Sequence, residues 1–303
     1  MDFEVERIET LRLTGPEALF SQDLMSPYVW RPPGGPLLML LRAVPRAESG
    51  DPTTGSIWLA QGEEDGLSFA ADPAPLIAPG PGLLDIGGCE DPTAVPTNEA
   101  CVVYYTGMDA GGDGELLYAS GPDVRHLKKR GIALASSRTE SYTKEATVER
   151  ERSGRWRLFY EYSRGGRSRV GLADGGRFDG PWKENRNDPF RARAGRWDCW
   201  HLSTGPLLMT DRRAPVMFYN GADKTTEWGV GWLRLSDDCT HAVARCDKPL
   251  IAPPSRGAGE RDISFAASAI EEADHIWLYF SKNDRSLHRA VVRRTAPTAQ
   301  GRK

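Results

Sequence analysis

The chain has 303 residues, with 39 Lys and Arg against 42 Asp and Glu, and a net charge of -3. That balance, with a pI near 6.0, argues against a nucleic-acid binder, which carries a basic excess or patch. No run reaches the ~18 apolar residues of a membrane span.

Nine each of Trp, Tyr and Phe, with 32 Gly and 22 Pro, point to short strands and many turns. In chain order, five units repeat one pattern: an inner strand, a hairpin of two apolar strands and, in several, a fourth strand. The first unit is predicted near residues 28–30, 37–42 and 56–60, with a fourth strand at 75–77. The second lies near 93–95, 101–106 and 115–120, and a Gly- and Asp-rich loop, 107–114, joins its hairpin. A single helical turn is read at 122–129. The third unit lies near 146–148, 156–161 and 168–173, joined by Arg164-Gly-Gly-Arg167. The fourth lies near 205–208, 216–220 and 229–234, with a fourth strand at 249–251, and the fifth near 265–268, 276–280 and 286–291. Equivalent positions recur every ~55–65 residues, the signature of a repeat architecture. Four-stranded units repeated five times predict an all-β, five-bladed β-propeller filling one domain over 1–303, with a frayed tail from about 295. Polar side chains on inner strands would then converge at one mouth of a central channel.

The amino terminus, MDFEVERIETLRL, has no basic stretch leading into an apolar one, so a cytoplasmic location is expected. The cysteines (Cys89, Cys101, Cys199, Cys239, Cys246) show no C-x-x-C spacing. Reduced thiols are expected, with no metal site.

The sharpest segment is Gly87-Gly-Cys-Glu-Asp-Pro-Thr93. Two adjacent carboxylates precede a proline, and Pro92 is expected to hold Asp91 in an extended backbone. Gly-x-Glu-Asp-Pro before an inner strand resembles glycoside hydrolase family 130, the mannoside phosphorylases and hydrolases, and more distantly the five-bladed glycosidases of families 43 and 32. The series continues with Leu40-Leu-Arg-Ala43, Asp65-Gly-Leu-Ser-Phe69, Pro75-Leu-Ile-Ala-Pro79 and Lys144-Glu-Ala146. It runs on through Trp197-Asp198, Thr204-Gly-Pro206, Phe218-Tyr-Asn-Gly221, Pro249-Leu-Ile-Ala-Pro253, Glu260 and Phe265.

The resemblance implies that Asp91 is the general acid, acting on the glycosidic oxygen through a sugar hydroxyl. A buried carboxyl with a carboxylate neighbour can keep its proton near neutral pH, and Glu90 is the expected neighbour. Arg42, Glu90, Lys144, His201, Asn220 and Asp262 are the expected substrate contacts. Asp223 and Asp284 read as turn residues, though the resemblance implies that residues at such positions can touch sugar. Tyr28, Trp30 and Trp200 are candidate stacking platforms for a sugar face.

Two departures matter. Phosphorylases of the family hold phosphate with a His-Arg pair on the third blade and the His of Tyr-His-Gly on the fourth. Here those Arg and His positions read Glu161 and Asn220. An anion in place of a cation repels phosphate by several kcal/mol, on the order expected in a low-dielectric pocket. It suits a water-activating base, and inversion requires two carboxyls roughly 6.5–9.5 Å apart. Glu161 is the first candidate base. Glu145 and Glu149 are alternatives, and strand alternation would place those two on one face.

The leading expectation is an inverting, cofactor-free hydrolase of small β-mannosides or related oligosaccharides, monomeric or a small homo-oligomer, without nucleic-acid or membrane partners. A phosphorylase using inorganic phosphate, held by Lys144 with Arg150 and Arg152, is second. A non-catalytic carbohydrate-binding propeller is third, because fold alone does not set function.

Overall fold

The computed structural model describes residues 2–97, 100–137, 139–254 and 263–295, and in them five small sheets stand as the blades of a propeller. The inner strands are Gln22–Trp30, Gly88–Pro96, Ser141–Arg150, His201–Ser203 continued by Leu207–Leu208, and Ser264–Glu271. Each starts a meander whose strands run outward in chain order. There are two exceptions: strand Arg12–Thr14 adds in parallel to the outer edge of blade 1, beside Ser68–Ala71, and a second one closes the ring. Strand Asp2–Thr10, from the start of the chain, is the outermost strand of blade 5 and pairs with Ser286–Thr295 from the other end. The described helical segments are one turn, Glu17–Phe20, and two 3-10 turns. None is long and apolar enough to cross a membrane.

The continuous apolar runs follow from the packing. Each blade is covered on both faces, so alternate residues of one strand feed two different cores. In strand Cys101–Met108, Val103 and Tyr105 pack toward blade 1, while Val102 and Tyr104 pack toward blade 3. Phe159 faces blade 4 while its neighbours Leu158 and Tyr160 face blade 2. Phe218 faces blade 5 while Met217 and Tyr219 face blade 3. Among the described residues, five apolar clusters fill the five blade interfaces. Truncating one fully buried aromatic, such as Phe218, costs about 3–5 kcal/mol by lost burial and the cavity left behind.

A ring of side-chain hydrogen bonds ties the inner strands together. The Tyr28 hydroxyl donates to the Ala94 carbonyl at 2.9 Å, and the Thr93 hydroxyl donates to the Ala146 carbonyl at 2.6 Å. Thr147 donates to the Gly205 carbonyl at 2.9 Å, and Thr204 donates back to the Glu145 carbonyl at 2.7 Å. Asn220 donates to the Ala266 carbonyl at 3.0 Å and accepts the Ala266 N–H at 2.7 Å. Ser268 returns to blade 1, donating to the Pro27 carbonyl at 2.8 Å. Bulges in the inner strands leave backbone groups outside the ladders, and such buried groups need partners.

Three expectations are corrected. Residues 75–77 and 249–251 are not fourth strands. Ile77 and Ile251 make lone bridges to Ile57 and Val230, because flanking prolines lack ladder donors. The fourth strands are Ser68–Ala71 and Ala242–Arg245. Residues 122–129 hold no helix. The Asp123 side chain accepts the N–H groups of Arg125 and His126, forming a turn that leads into strand Lys128–Leu134. The tail after residue 295 lies outside the described residues.

Candidate active site

A cavity of about 450 Å³ opens at one end of the channel, lined by residues of all five blades. One local device, repeated three times, aims side chains into it. The inner strands of blades 1, 2 and 3 each slip register at a bulge, between Met25 and Tyr28, Glu90 and Thr93, and Lys144 and Thr147. At each bulge one non-glycine residue takes a left-handed backbone: Ser26 (φ 53°), Asp91 (φ 47°) and Glu145 (φ 52°). All three line the cavity. Each such residue stores about 1–3 kcal/mol of strain, which the surrounding fold must hold.

The extended backbone expected for Asp91 is therefore replaced by a left-handed one. Pro92 fits a bulge because it has no N–H to lose from the ladder. Gly88, at the start of this strand, has φ 150°, and a Cβ there would lie 2.1 Å from the Thr54 side chain. Only glycine lets the Glu-Asp-Pro strand pass that loop.

The bulges bring four carboxyls and two cations together. Arg42 reaches Glu90 at 2.8 Å and Asp91 at 3.3 Å, and its Nε and Nη2 donate to the Thr54 carbonyl at 3.0 and 2.8 Å. The Ser26 hydroxyl donates to Asp91 Oδ1 at 2.5 Å. Lys144 lies 3.5 Å from Glu161, which is 3% exposed. Glu145 is hydrogen-bonded to Asp91.

Burial works against the charge on Asp91, but Arg42, Ser26 and Lys144 outweigh it and hold this carboxyl below the usual range. Burial, then the charge of Asp91, pushes Glu145 well above that range. Within the pair, Asp91 is thus the group favoured as the carboxylate and Glu145 the group favoured as the neutral acid. The neighbour expected from sequence was Glu90. Burial raises Glu90 as well, against the pull of Arg42, but Glu90 sits on the guanidinium rather than on Asp91. Lys144 is held charged chiefly by Glu161.

The fourth-blade side is aromatic. His201 accepts the Ser168 N–H on Nδ1 at 3.0 Å, which leaves its proton on Nε2, and burial lowers its pKa. Trp228 stacks on His201 at 5.7 Å and 19°, and Phe265 packs against Trp228 at 5.6 Å. All three line the cavity, with the Trp228 and His201 rings stacked and Phe265 tilted against them.

The cavity thus gathers Arg42, Glu90, Asp91, Lys144, Glu145, Glu161 and His201, together with Asp284. It does not gather Asn220. That side chain is fully buried and spans a break in the inner strand of blade 4, donating to the Thr204 carbonyl at 2.6 Å and joining the ring at Ala266. Asp262 and Glu260 lie outside the described residues.

Glu149 does not line the cavity with Glu145, because the bulge breaks the alternation between them. Burial raises its pKa to about 7. Arg150 donates to the Gly154 carbonyl and Arg152 pairs with Asp237, both away from the cavity. Tyr28 and Trp30 belong to the core between blades 1 and 2. Trp200 lies in a neighbouring pocket.

Ser26, Trp228 and Phe265 were not among the expected contacts. Ser26-Pro27 repeats the polar-then-proline step of Asp91-Pro92 at the same place in its blade, a signal that was available. Among the described residues, no three His, Cys, Asp or Glu side chains are grouped to hold a metal ion.

No family model and no curated protein matches the chain. Solved structures do. A β-1,2-mannobiose phosphorylase from Listeria innocua, in complex with β-1,2-mannobiose, superposes with a TM-score of 0.75 at 17% identity, over 95% of this chain and 91% of that one. A structure from the family 130 mannoside phosphorylases, described with hydrolases that target β-1,2 mannosidic linkages in Candida mannan, gives 0.74 at 20% identity over 89% and 84%. The chain shares the fold of glycoside hydrolase family 130. A glycosyl hydrolase from Bacteroides ovatus gives 0.74 at 20% identity, with the same coverage of 89% and 84%. The resemblance carried by the ordered motifs is met again in the fold.

Proposed function

We propose that the chain is a glycoside-cleaving enzyme of the family 130 type, acting on small β-mannosides or related oligosaccharides by hydrolysis with inversion. Structural neighbours that process mannosides support the substrate class. The charge balance of the cavity carries the choice of hydrolysis. Five carboxyls, Asp284 among them, face two cations, and both cations are already engaged with carboxylates. Inorganic phosphate would meet net negative charge in a low-dielectric site, whereas neutral water and a neutral sugar would not.

In this reading the Asp91–Glu145 pair is the proton store. Asp91 protonates the leaving oxygen, directly or through a sugar hydroxyl, as Glu145 passes its proton to Asp91. Glu145 is too near Asp91 to be the opposing base of an inverting pair, whose carboxyls stand roughly 6.5–9.5 Å apart. Glu161 takes that role and deprotonates the attacking water, with the Lys144 ammonium beside it at 3.5 Å. Trp228 and His201 hold the sugar face.

The test is cleavage of β-mannobiosides with and without inorganic phosphate, with the product anomer followed by NMR. Phosphate-independent release of an α-configured hemiacetal supports the reading. A sugar 1-phosphate formed only with phosphate would replace it with phosphorolysis. Binding of these sugars without turnover would favour the non-catalytic propeller.

A further inference from the structure

Beside the mouth, between blades 3 and 4, lies a smaller cavity of about 160 Å³ with the opposite charge. Arg167, Arg169 and Arg191 line it, with Trp200 and a single carboxylate, Asp188, which accepts the Tyr162 hydroxyl at 2.8 Å. The Arg167 guanidinium lies over the Trp200 ring, 3.8 Å from its centroid, and Lys224 approaches the same ring at 5.8 Å. Among the described residues, the guanidinium groups of Arg167, Arg169 and Arg191 have no carboxylate in ion-pair range. At the mouth, by contrast, Arg42 is saturated.

The two cavities adjoin. Ser168 lines both, its N–H holds His201 of the mouth, and His201 follows Trp200 in the chain.

We infer that this rim is a subsite for an anionic group, a carboxylate or a phosphate ester, carried by the sugar unit adjoining the one held in the mouth. The inference rests on the glycosidase reading. Stacking on Trp200 fixes the plane of the Arg167 guanidinium and leaves its edge N–H groups free, the fork that takes a planar or tetrahedral oxyanion. Grouped like charges repel one another, and a bound anion relieves that repulsion. Excess carboxylate excludes the anion from the mouth itself, so it must sit one unit away.

The experiment compares three β-mannosides whose adjoining sugar is neutral, a hexuronic acid or a 6-phosphate, with wild type and with R167Q/R169Q. Wild type is expected to favour the anionic substrates through KM, with the preference shrinking as salt rises. The double variant is expected to raise KM for them by about tenfold or more while leaving the neutral substrate unchanged, consistent with loss of charge-assisted hydrogen bonds. Preference for only one anionic substrate would support the subsite and identify its source. Equal KM for all three in wild type, or a preference that survives the double substitution, would overturn the subsite and leave the glycosidase reading standing. Calorimetric binding of the same sugars to D91N separates the converse case. Arginine-dependent binding of anionic sugars without cleavage in wild type would keep the subsite and remove the enzyme.

Discussion

Asp198 and Asp91 are both buried carboxylates next to arginine, yet they sit in opposite kinds of site. Asp198, fully buried, is met by Arg193 at 3.0 Å, by Arg245 at 2.6 Å and by the Tyr219 hydroxyl at 2.7 Å. Its positive partners outnumber it, and Trp197 stacks on Tyr219 at 5.6 Å to shield the group. Asp91 shares one arginine with Glu90 and faces Glu145. Where cations are in excess, a carboxylate is a fixed structural anion. Where carboxyls are in excess, one of them must keep a proton, and that proton is available for chemistry. The Trp-Asp motif and the Glu-Asp-Pro motif look equally functional as text, and only the count of neighbours separates them.

Substitutions at the two carboxylates should split activity from stability. D91N is expected to lower kcat by about 10³-fold, within the range for a lost general acid, with little change in the urea midpoint. If turnover survives, the general-acid role falls. E161Q should cost about 10²–10³-fold in kcat, and added azide should restore cleavage, yielding a glycosyl azide. No rescue at any azide concentration would argue for another base. D198N should do the reverse of D91N. It strips Arg245 of its carboxylate and leaves Arg193 only the more distant Asp247, and is expected to cost about 3–5 kcal/mol of unfolding free energy, with kcat near wild type at low temperature. N220A should cost about 1–3 kcal/mol, because it orphans buried backbone groups of the ring, again without a defect in kcat.

The smallest effect is one of pH. Glu145 has a raised folded pKa, so its contribution to stability is full below its ordinary value of 4.5 and is lost as pH rises through the folded value. E145Q, permanently neutral, should flatten that alkaline loss in unfolding titrations. The alkaline limb of the kcat/KM profile should move to lower pH, because the store no longer holds its proton. An unchanged limb would place the proton elsewhere.

Much of the fold was legible because blade packing writes itself into the chain. Hairpins such as 101–108 with 114–121 and the loop at 164–167 follow from apolar runs and glycines. Strand Asp2–Thr10 was less visible. Its alternation of Phe3 and Val5 slips phase at a bulge before Arg7, and its partner lies at the far end of the chain. In the site, Arg42, Glu90, Asp91, Lys144, Glu145, Glu161 and His201 were all named from sequence and all line one cavity. The pairings among them were not legible, since Glu90 and Glu145 are equally carboxylates until three-dimensional distance decides which one touches Asp91.

By itself, the sequence determined five repeated β units and an inner-strand Glu-Asp-Pro step, while the meaning of the acid at Glu161 came from the resemblance to family 130. These are one-dimensional facts, set by residue type and spacing. Tertiary structure alone decided that Glu145 rather than Glu90 is hydrogen-bonded to Asp91, that Asn220 is a stitch in the central ring and that Asp198 lies between two arginines outside the cavity. Each of those depends on how many charges and hydrogen-bond partners surround a buried group, and most of the neighbours come from other strands or blades, tens of residues away in the chain.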